Sequence, residues 1–285
     1  MSVKKIVKML VKRKTALIGF IILFIVLISA LFAPVLAPHD PNTSSLKHRL
    51  LPPSWSDDGS AAHLLGTDHL GRDLLSRVIY GSRISLLVGI VTVLLAGTLG
   101  TMLGLLAGYF RGFVDSIIMR LTEIQLAFPF ILLALAIMAV LGGGLRNVII
   151  VLSITGWVIY SRLVRGEVLV LRELEYVKAA RALGQTDLKI MVKHILPNVF
   201  PTLIVVGTLR VANMIIAESS LTFLGLGVQA GIPTWGSMLA DGREYLTSAW
   251  WVATFPGLAI MFTVLGINLL GDWLRDILDP RLLTS

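Results

Sequence analysis

Long apolar blocks separated by short polar segments dominate the pattern of this sequence. Six such blocks occupy residues 15–36, 84–110, 114–141, 147–164, 199–221 and 250–270. A helix of about 20 residues crosses the ~30 Å apolar layer of a membrane, and each block is close to that length or longer. The pattern therefore predicts an all-α integral membrane protein with six transmembrane helices.

The composition agrees with a membrane location. Of the 285 residues, 55% are hydrophobic and 15% are charged, with a mean hydropathy of +0.84, whereas about 25% of residues are charged in a soluble domain. The 26 glycines suit closely packed membrane helices. Cysteine is absent from the sequence, which excludes a disulfide framework and a thiolate metal site within it.

The basic residues predict an orientation. The first block follows a basic run, Lys4, Lys5, Lys8, Lys12, Arg13 and Lys14. This block exceeds the 7–15 residues of a signal-peptide core, so we interpret it as a transmembrane helix. Most of the other Lys and Arg residues fit an arrangement with both termini inside, N-in/C-in. Because the net charge of +8 follows this topology, we expect the lipid bilayer as a partner and no nucleic acid.

A polar segment lies between the first two blocks and ends in the sequence GTDHLGRDLLSRVIYGSRISL, residues 66–86. Thr67 or Asp68 is positioned to cap an amphipathic helix. The apolar side of that helix is formed by Leu70, Leu74, Leu75 and Val78. We expect the helix to lie along the membrane surface and to lead into the second span.

Two features within the blocks predict helix packing and shape. Small residues recur at every fourth position of the second block, at Ala96, Gly100, Gly104 and Gly108. A stripe of this kind lets helix backbones approach closely, within the subunit or with a partner. In the third block, Pro129 predicts a kink because it lacks a backbone N–H.

The most charged segment between two spans is the loop 173–197, ELEYVKAARALGQTDLKIMVKHILP. Val177, Ala180 and Leu183 have helical spacing, and Gly184 follows as a stop signal. Thr186 and Asp187 offer caps for a second helix, which Pro197 is expected to end. The arrangement predicts a docking surface for a soluble partner.

This loop resembles the "EAA" loop of ABC-importer permeases. Ala179-Ala180, Gly184 and Leu196-Pro197 match its spacing, whereas Lys178 replaces the usual Glu and His194 a common Ile. Three further segments resemble the dipeptide/oligopeptide/nickel branch of that family. They are GTDHLGRD, FLGLG followed by PTWGSML, and the tail GDWLRDILDP with Asp272, Arg275, Asp276, Asp279 and Arg281. The tail reads either as a solvated helix end, with an Arg275–Asp279 pair, or as an ATPase contact.

The resemblance implies the type I permease fold of ABC importers, in a prokaryotic plasma (inner) membrane. Its implied partners are a homologous second permease, two cytoplasmic ABC ATPase subunits and an extracytoplasmic solute-binding protein. Short peptides are the first choice of substrate, moved by alternating access, with nickel or metal chelates and glutathione as alternatives. The chain divides into an N-terminal segment 1–83, a core permease domain 84–273 and a cytoplasmic tail 274–285.

The resemblance also implies roles for particular residues. By this resemblance, loop 173–197 is a coupling loop, the segment that contacts the ATPase subunit. Its ATPase-coupling residues are Ala179, Ala180, Ala182, Leu183, Gly184, Gln185, Thr186 and Asp187. A bulky residue at Gly184 is expected to uncouple ATP hydrolysis from transport. In the fifth block, Arg210, Asn213 and Glu218 are pathway candidates, because charges within a membrane usually serve function. The alternative is a structural ion pair with the sister subunit.

The loop 223–239 is too rich in glycine for a regular helix and resembles an external gate or a binding-protein contact, at Gly225, Gly227 and Trp235. A re-entrant plug without a substrate role is the alternative. Trp250 and Trp251 read as interfacial belt residues.

Several kinds of chemistry are missing from the sequence. It has no G-x-x-x-x-G-K-[ST] loop, so we expect this chain to bind no cofactor and the partner subunits to hold ATP and Mg²⁺. It also has no H-E-x-x-H or G-x-S-x-G motif, so we expect no catalytic residues. A stand-alone channel or membrane enzyme is the alternative from another class. His39, His63 and His69 with Asp68 could hold a metal, but isolated loop histidines are commoner and we assign no metal site.

Overall fold

The computed structural model describes residue 10, residues 13–229 and residues 231–278. The helices are α1 Lys14–Leu31, α2 Ala33–Leu36, α3 Leu74–Phe110, α4 Gly112–Leu126, α5 Phe130–Leu141, α6 Leu145–Leu171, α7 Glu175–Ala182, α8 Asp187–Ile190, α9 Leu196–Phe223, α10 Trp235–Gly242 and α11 Trp251–Leu278. A π-helical turn, Met191–Ile195, joins α8 to α9. The prediction of an all-α membrane fold is confirmed.

Five continuous helices are long and apolar enough to cross a membrane: α1, α3, α6, α11 and the run Asp187–Phe223. A sixth span is present if α4 and α5 count as one, although they are bent by 89°. We predicted a kink at Pro129, and the structure has a complete break at residues 127–129. Pro129 lacks a backbone N–H and forces the preceding residue out of the helical region, which accounts for the break.

The predicted stripe of small residues in α3 packs within this chain, against α6. A Cβ added at Gly104 would lie 2.6 Å from the carbonyl oxygen of Ser161, and one at Gly108 would lie 2.7 Å from Cβ of Val168. The stripe therefore lets two backbones approach to a distance that side chains would prevent, and this approach stabilises helix pairs in lipid.

The amphipathic lead-in helix was predicted wrongly. Residues 67–73 are not helical, and α3 begins only at Leu74, which is fully buried. The Asp68 carboxylate accepts the backbone N–H groups of Leu70 at 2.8 Å and of Arg72 at 3.0 Å, and Gly71 has a positive φ of +72°. These contacts form a turn instead, and Asp73 caps α3 by accepting from the Ser76 N–H at 2.8 Å.

A charge clamp, formed by Asp68, Arg72, Arg77 and Asp241, holds the start of α3. Arg72 donates to Asp68 at 2.6 Å and to Asp241 at 3.2 Å. Arg77 lies 3.4 Å from the Asp68 carboxylate and donates to the Pro41 carbonyl at 3.2 Å. The clamp therefore ties segment 38–73, α3 and α10 together.

The first and last spans come together at the other end of the bundle. Arg13, which precedes α1, pairs with Asp276 near the end of α11. This contact places the start of α1 and the end of α11 on the same side. Several basic and tail positions of the predictions lie outside the described residues: Lys4, Lys5, Lys8, Lys12, Asp279 and Arg281.

Candidate functional site

The coupling loop, residues 173–197, sits at the end of α3 opposite the charge clamp. Val177 and Ala180, on one side of α7, are buried against Tyr109 of α3 and Val168 of α6. Ile190 of α8 is fully buried in the same cluster. The predicted helical spacing at Val177 and Ala180 is thus the face that seats the loop on the bundle.

The turn between α7 and α8 leaves the tip of the loop uncovered. Leu183 is 82% exposed and Leu188 is 68% exposed. Gly184 has a φ of +77°, and no atom lies within 4 Å of where its Cβ would be. Among the other predicted coupling residues, Ala180 is buried, Gln185 is half-buried, and the remainder are exposed: Ala179, Ala182, Thr186 and Asp187.

The start of α8 differs from the prediction. Thr186 occupies the cap position by its backbone, but its side chain makes no capping hydrogen bond. The Asp187 carboxylate instead accepts a hydrogen bond from the Tyr109 hydroxyl at 2.6 Å. Gln185 pairs with His194 at 2.9 Å. The residues that follow Gly184 are therefore held by contacts with α3 and with the π-helical turn.

Pro197 does not end the second helix of the loop, as we had predicted. The helical run continues from Asp187 to Phe223, because the wider π turn Met191–Ile195 precedes the proline. A π turn changes the hydrogen-bond register, so the N–H that Pro197 lacks is accommodated without a break. The part of the loop from Asp187 onward and the fifth span are thus one continuous rod.

Lys178, which departs from the family pattern, lies 3.3 Å from Glu173, and Arg111 donates to the same carboxylate at 2.8 Å. The hydrogen bond from Lys178, helped by Arg111 and Arg172, holds the pKa of Glu173 below its ordinary value. Glu173 thus stays ionised at neutral pH and links the loop to the α3–α4 turn.

A cavity of about 510 Å³ lies beside the break between α4 and α5. Its lining includes Arg210 and Asn213 of α9, together with Gln125 and Thr155. Within the part of the chain described, no carboxylate lies within 4.0 Å of Arg210. The cavity therefore combines apolar walls with one guanidinium group free of an ion pair.

Glu218 is not brought to this cavity. Its side chain is fully buried and accepts a hydrogen bond from the Thr222 hydroxyl at 2.9 Å. Arg210 and Glu218 therefore form no pair with each other. Of the three pathway candidates, Arg210 and Asn213 line the cavity, whereas Glu218 is hydrogen-bonded within its own helix.

Sequence reasoning missed Gln125. Its amide donates to the Thr155 carbonyl at 2.7 Å and accepts from the Trp157 indole at 2.9 Å. These bonds fix the last turn of α4 against α6 beside the cavity. A polar amide four residues before Pro129, within an apolar block, was the available signal.

The three predicted gate residues have different surroundings. Gly225 is exposed with a φ of +84°. Gly227 is buried, and its carbonyl accepts from the Gly144 N–H at 2.8 Å. Trp235 is 1% exposed and donates to the Val78 carbonyl at 3.0 Å. Of the three, only Gly225 lies on the surface of this chain, and the gate role stays a prediction.

Two predictions about this region were wrong. The glycine-rich segment does contain a regular helix, α10, because Thr234 and Ser237 form a reciprocal capping box at its start. Trp251 is not a belt residue either, since it is buried and donates to the Thr67 carbonyl at 3.1 Å. Trp250, in contrast, is exposed.

The four residues considered for a metal site are separated into two groups. His39 and His63 approach Asp73, whereas Asp68 and His69 approach Asp241. Asp68 and Asp241 already belong to the charge clamp.

Comparison with known proteins identifies the family. Residues 100–284 match the family described as binding-protein-dependent transport system inner membrane component. Residues 3–53 match the N-terminal TM domain of oligopeptide transport permease C.

Individual relatives are similar along most of their length. The di/tripeptide transport system permease protein DppC of Pseudomonas aeruginosa is 48% identical over 94% of this chain and 89% of the relative. The dipeptide transport system permease protein DppC of Alkalihalophilus pseudofirmus is 45% identical over 96% of this chain and 88% of the relative. The glutathione transport system permease protein GsiD of Pectobacterium atrosepticum is 46% identical over 93% and 86%, respectively.

Among solved structures, a chain of the MetNI methionine ABC transporter in inward-facing conformations has a similar fold, with a TM-score of 0.55 and 21% identity. The similarity covers 72% of this chain and 96% of that chain. By its family match and its relatives, this chain belongs to the inner membrane components of binding-protein-dependent transport systems and is a permease subunit of an ABC importer.

Proposed function

We propose that this chain forms one half of the pathway by which short peptides cross the membrane, and that its coupling loop receives the motion of a partner ATPase. The single observation that carries the coupling role is the exposed apolar tip, with Leu183 82% exposed at the end of the rod Asp187–Phe223. Apolar side chains presented to solvent beside charges mark a contact surface for another protein.

The substrate class is supported by the relatives and by the chemistry of the cavity. Two of the relatives are named as dipeptide or di/tripeptide permeases. The guanidinium of Arg210 matches the carboxylate end of a peptide, and the exposed amide of Asn213 matches its backbone groups. A volume of about 510 Å³ falls within the usual range of small-molecule sites.

The proposal needs partners. Because this sequence lacks a phosphate-cradling loop, we infer that two ATPase subunits hold ATP and Mg²⁺ and that one of them contacts the coupling loop. A homologous permease completes the pathway, and an external binding protein delivers substrate at the end that bears the charge clamp. ATP-driven closure of the ATPases moves the loop and, through the rod Asp187–Phe223, alters access to the cavity.

Glutathione is the second candidate substrate, because the GsiD relative is 46% identical. Uptake into proteoliposomes that contain this chain and its cognate partners distinguishes the candidates, with labelled di- and tripeptides, glutathione and Ni²⁺ supplied separately. We expect saturable, ATP-dependent uptake of peptides. Uptake of only glutathione or only Ni²⁺ would reject the peptide assignment.

A paired variant tests the cavity. Arg210→Gln removes the unpaired guanidinium, and we expect it to lower peptide uptake at least tenfold through the lost carboxylate contact, about 1.4 kcal/mol or more. Arg146→Gln, which alters an exposed arginine in the first turn of α6, is the charge-matched control. Equal uptake by the two variants would remove Arg210 from the pathway.

A further inference from the structure

Two imidazoles converge on one carboxylate at the end of the bundle that bears the charge clamp. The Nδ1 atom of His63 lies 2.9 Å from Oδ1 of Asp73, and the Nδ1 atom of His39 lies 3.7 Å from the same oxygen. One ligand atom from each of the three residues lies within 4.8 Å of the other two. Residues far apart in the sequence thus present three metal-ligating atoms to one point.

The carboxylate of Asp73 is oriented for this purpose. Its Oδ2 atom accepts both the backbone N–H of Ser76 at 2.8 Å and the Ser76 hydroxyl at 2.7 Å. The Oδ1 atom is left facing the histidines. Hydrogen bonds to the distal oxygen of a ligating carboxylate are the usual means of fixing its direction toward a metal.

The charge balance around Asp73 also favours a cation. Within residues 13–229 and 231–278, no lysine or arginine nitrogen lies within 4.0 Å of the Asp73 carboxylate, whose only ionic neighbours are the two histidines. The carboxylate is almost completely buried. A divalent ion bound between this carboxylate and the two imidazoles would neutralise a buried negative charge that no lysine or arginine of the described residues pairs with.

The neighbouring group of Asp68, His69 and Asp241 differs in this respect. Arg72 and Arg77 already neutralise its two carboxylates. A metal ion would have to displace a guanidinium there. This group therefore serves as an internal control for the first.

We propose that His39, His63 and Asp73 form a zinc site. Ligand atoms of a tetrahedral zinc ion, with bonds of about 2.0–2.1 Å, lie roughly 3.3 Å apart. The observed separations of 2.9 Å and 3.7 Å from Oδ1 bracket that value. Two histidines and one carboxylate constitute a common zinc ligand set, with water in the fourth position.

The site would close the segment after the first span onto the second span. His39 follows α2, His63 lies in the polar segment, and Asp73 caps α3. Zinc would thereby cross-link three separate points at the cap of the longest helix. This gives the segment a fixed position where the ion is present and a looser one where it is removed by a chelator.

Metal content tests the proposal directly. The full-length chain, carried in nanodiscs with a tag that contains no histidine, is equilibrated with ZnCl₂, freed of loosely bound ions and analysed by mass spectrometry of the metal. We expect one zinc per chain, and Co²⁺ in place of zinc should give the strong visible absorption of a four-coordinate site. In His39→Ala and His63→Ala, zinc affinity should fall by more than about 100-fold, because a lost ligand costs more than the loss of an outer-shell partner.

His39→Ala is the main variant, because the His39 side chain is 40% exposed and its backbone N–H keeps its bond to Ser76. His69→Ala is the matched control from the neighbouring group and should bind zinc as the unchanged chain does. Asp73 is left intact because it caps α3. Absence of zinc from the unchanged chain, or equal zinc affinity in His39→Ala and His69→Ala, would overturn the site.

Discussion

The two ends of α3 are built in opposite ways. At its start, the charges of Arg72 and Arg77 are buried and paired with Asp68 and Asp241 of the same chain. At its end, Tyr109 holds a loop whose leucines face solvent, with Leu183 82% exposed. At the start of α3 the charges are paired within this chain. At its end, apolar side chains are left uncovered by the described residues of this chain.

This difference separates structural from interacting surface. Buried ion pairs are costly to break and define geometry, so we assign the charge clamp to holding segment 38–73 against α3. Exposed leucines contribute little to the stability of the chain that bears them, so we assign the loop tip to a partner. Substitutions at the first end should therefore change stability, and substitutions at the second should change transport.

The largest expected loss of stability comes from the clamp. In Arg77→Met, the buried guanidinium is removed and the carboxylates of Asp68 and Asp241 lose a partner. We expect a loss of about 3 kcal/mol, at the low end for a broken buried pair because Arg72 remains. Unfolding in detergent measures this loss. Arg83→Met, an exposed arginine of the same helix, should change stability little.

The next largest loss of stability is expected in the middle of α3, where it packs against α6. Gly104→Val would place a side chain 2.6 Å from the Ser161 carbonyl, and the overpacking should cost about 1–3 kcal/mol. The matched variant is Gly97→Val, whose added Cβ would lie 3.6 Å from the Tyr160 ring, an ordinary contact. If both variants unfold at the same temperature, close backbone approach does not hold α3 to α6.

A smaller loss is expected at the loop turn. Gly184→Val forces a branched side chain into a left-handed conformation, which should cost about 1–2 kcal/mol. The control is Gly166→Val. Gly166 belongs to α6, has no atom within 4 Å of an added Cβ, and lacks the left-handed conformation. Gly184→Val should also lower peptide uptake, and by more than its small loss of stability would cause. Uptake at the unchanged rate would count against the coupling role.

The smallest effect on stability is expected for the link between α3 and the loop. Tyr109→Phe removes the 2.6 Å bond to the exposed Asp187, and we expect a loss of about 1 kcal/mol. Tyr176→Phe removes an exposed and longer hydrogen bond, in which the Asn198 amide donates to the Tyr176 hydroxyl at 3.3 Å. This variant should lose less stability. Thermal unfolding of the two variants compares them. The reverse order would show that Tyr109 does not hold the loop.

Local sequence features predicted much of the fold because each depends on one helix. The apolar blocks predicted the spans. The stripe at Gly100, Gly104 and Gly108 predicted a close helix–helix contact, within the subunit or with a partner, and the structure places that contact between α3 and α6. The spacing of Val177, Ala180 and Leu183 predicted a helix, which the structure has as α7, with the first two residues buried and Leu183 exposed. Helical periodicity and small-residue spacing are read directly from a single segment.

The failures have a common cause, which is side-chain contacts that hydrophobic periodicity does not specify, some of them local and some between distant segments. Asp68 caps no helix because its carboxylate is engaged by Arg72 and by the turn at Gly71. Trp251 is buried because the Thr67 carbonyl reaches it. Glu218 bonds within its own helix to Thr222 instead of meeting Arg210. Helical periodicity specifies none of these pairings, and the contact between Trp251 and Thr67 joins positions that are far apart in the sequence.

Transport by a chain altered only at Leu183 tests the coupling role most directly. Leu183→Asp places a charge on the exposed tip and should leave unfolding unchanged within about 0.5 kcal/mol. Its control is Leu46→Asp, an exposed leucine at the end that bears the charge clamp. In proteoliposomes with the partner proteins, we expect ATP-dependent peptide uptake to fall at least tenfold for Leu183→Asp and to persist for Leu46→Asp. Uptake at the unchanged rate by the Leu183 variant would contradict the account.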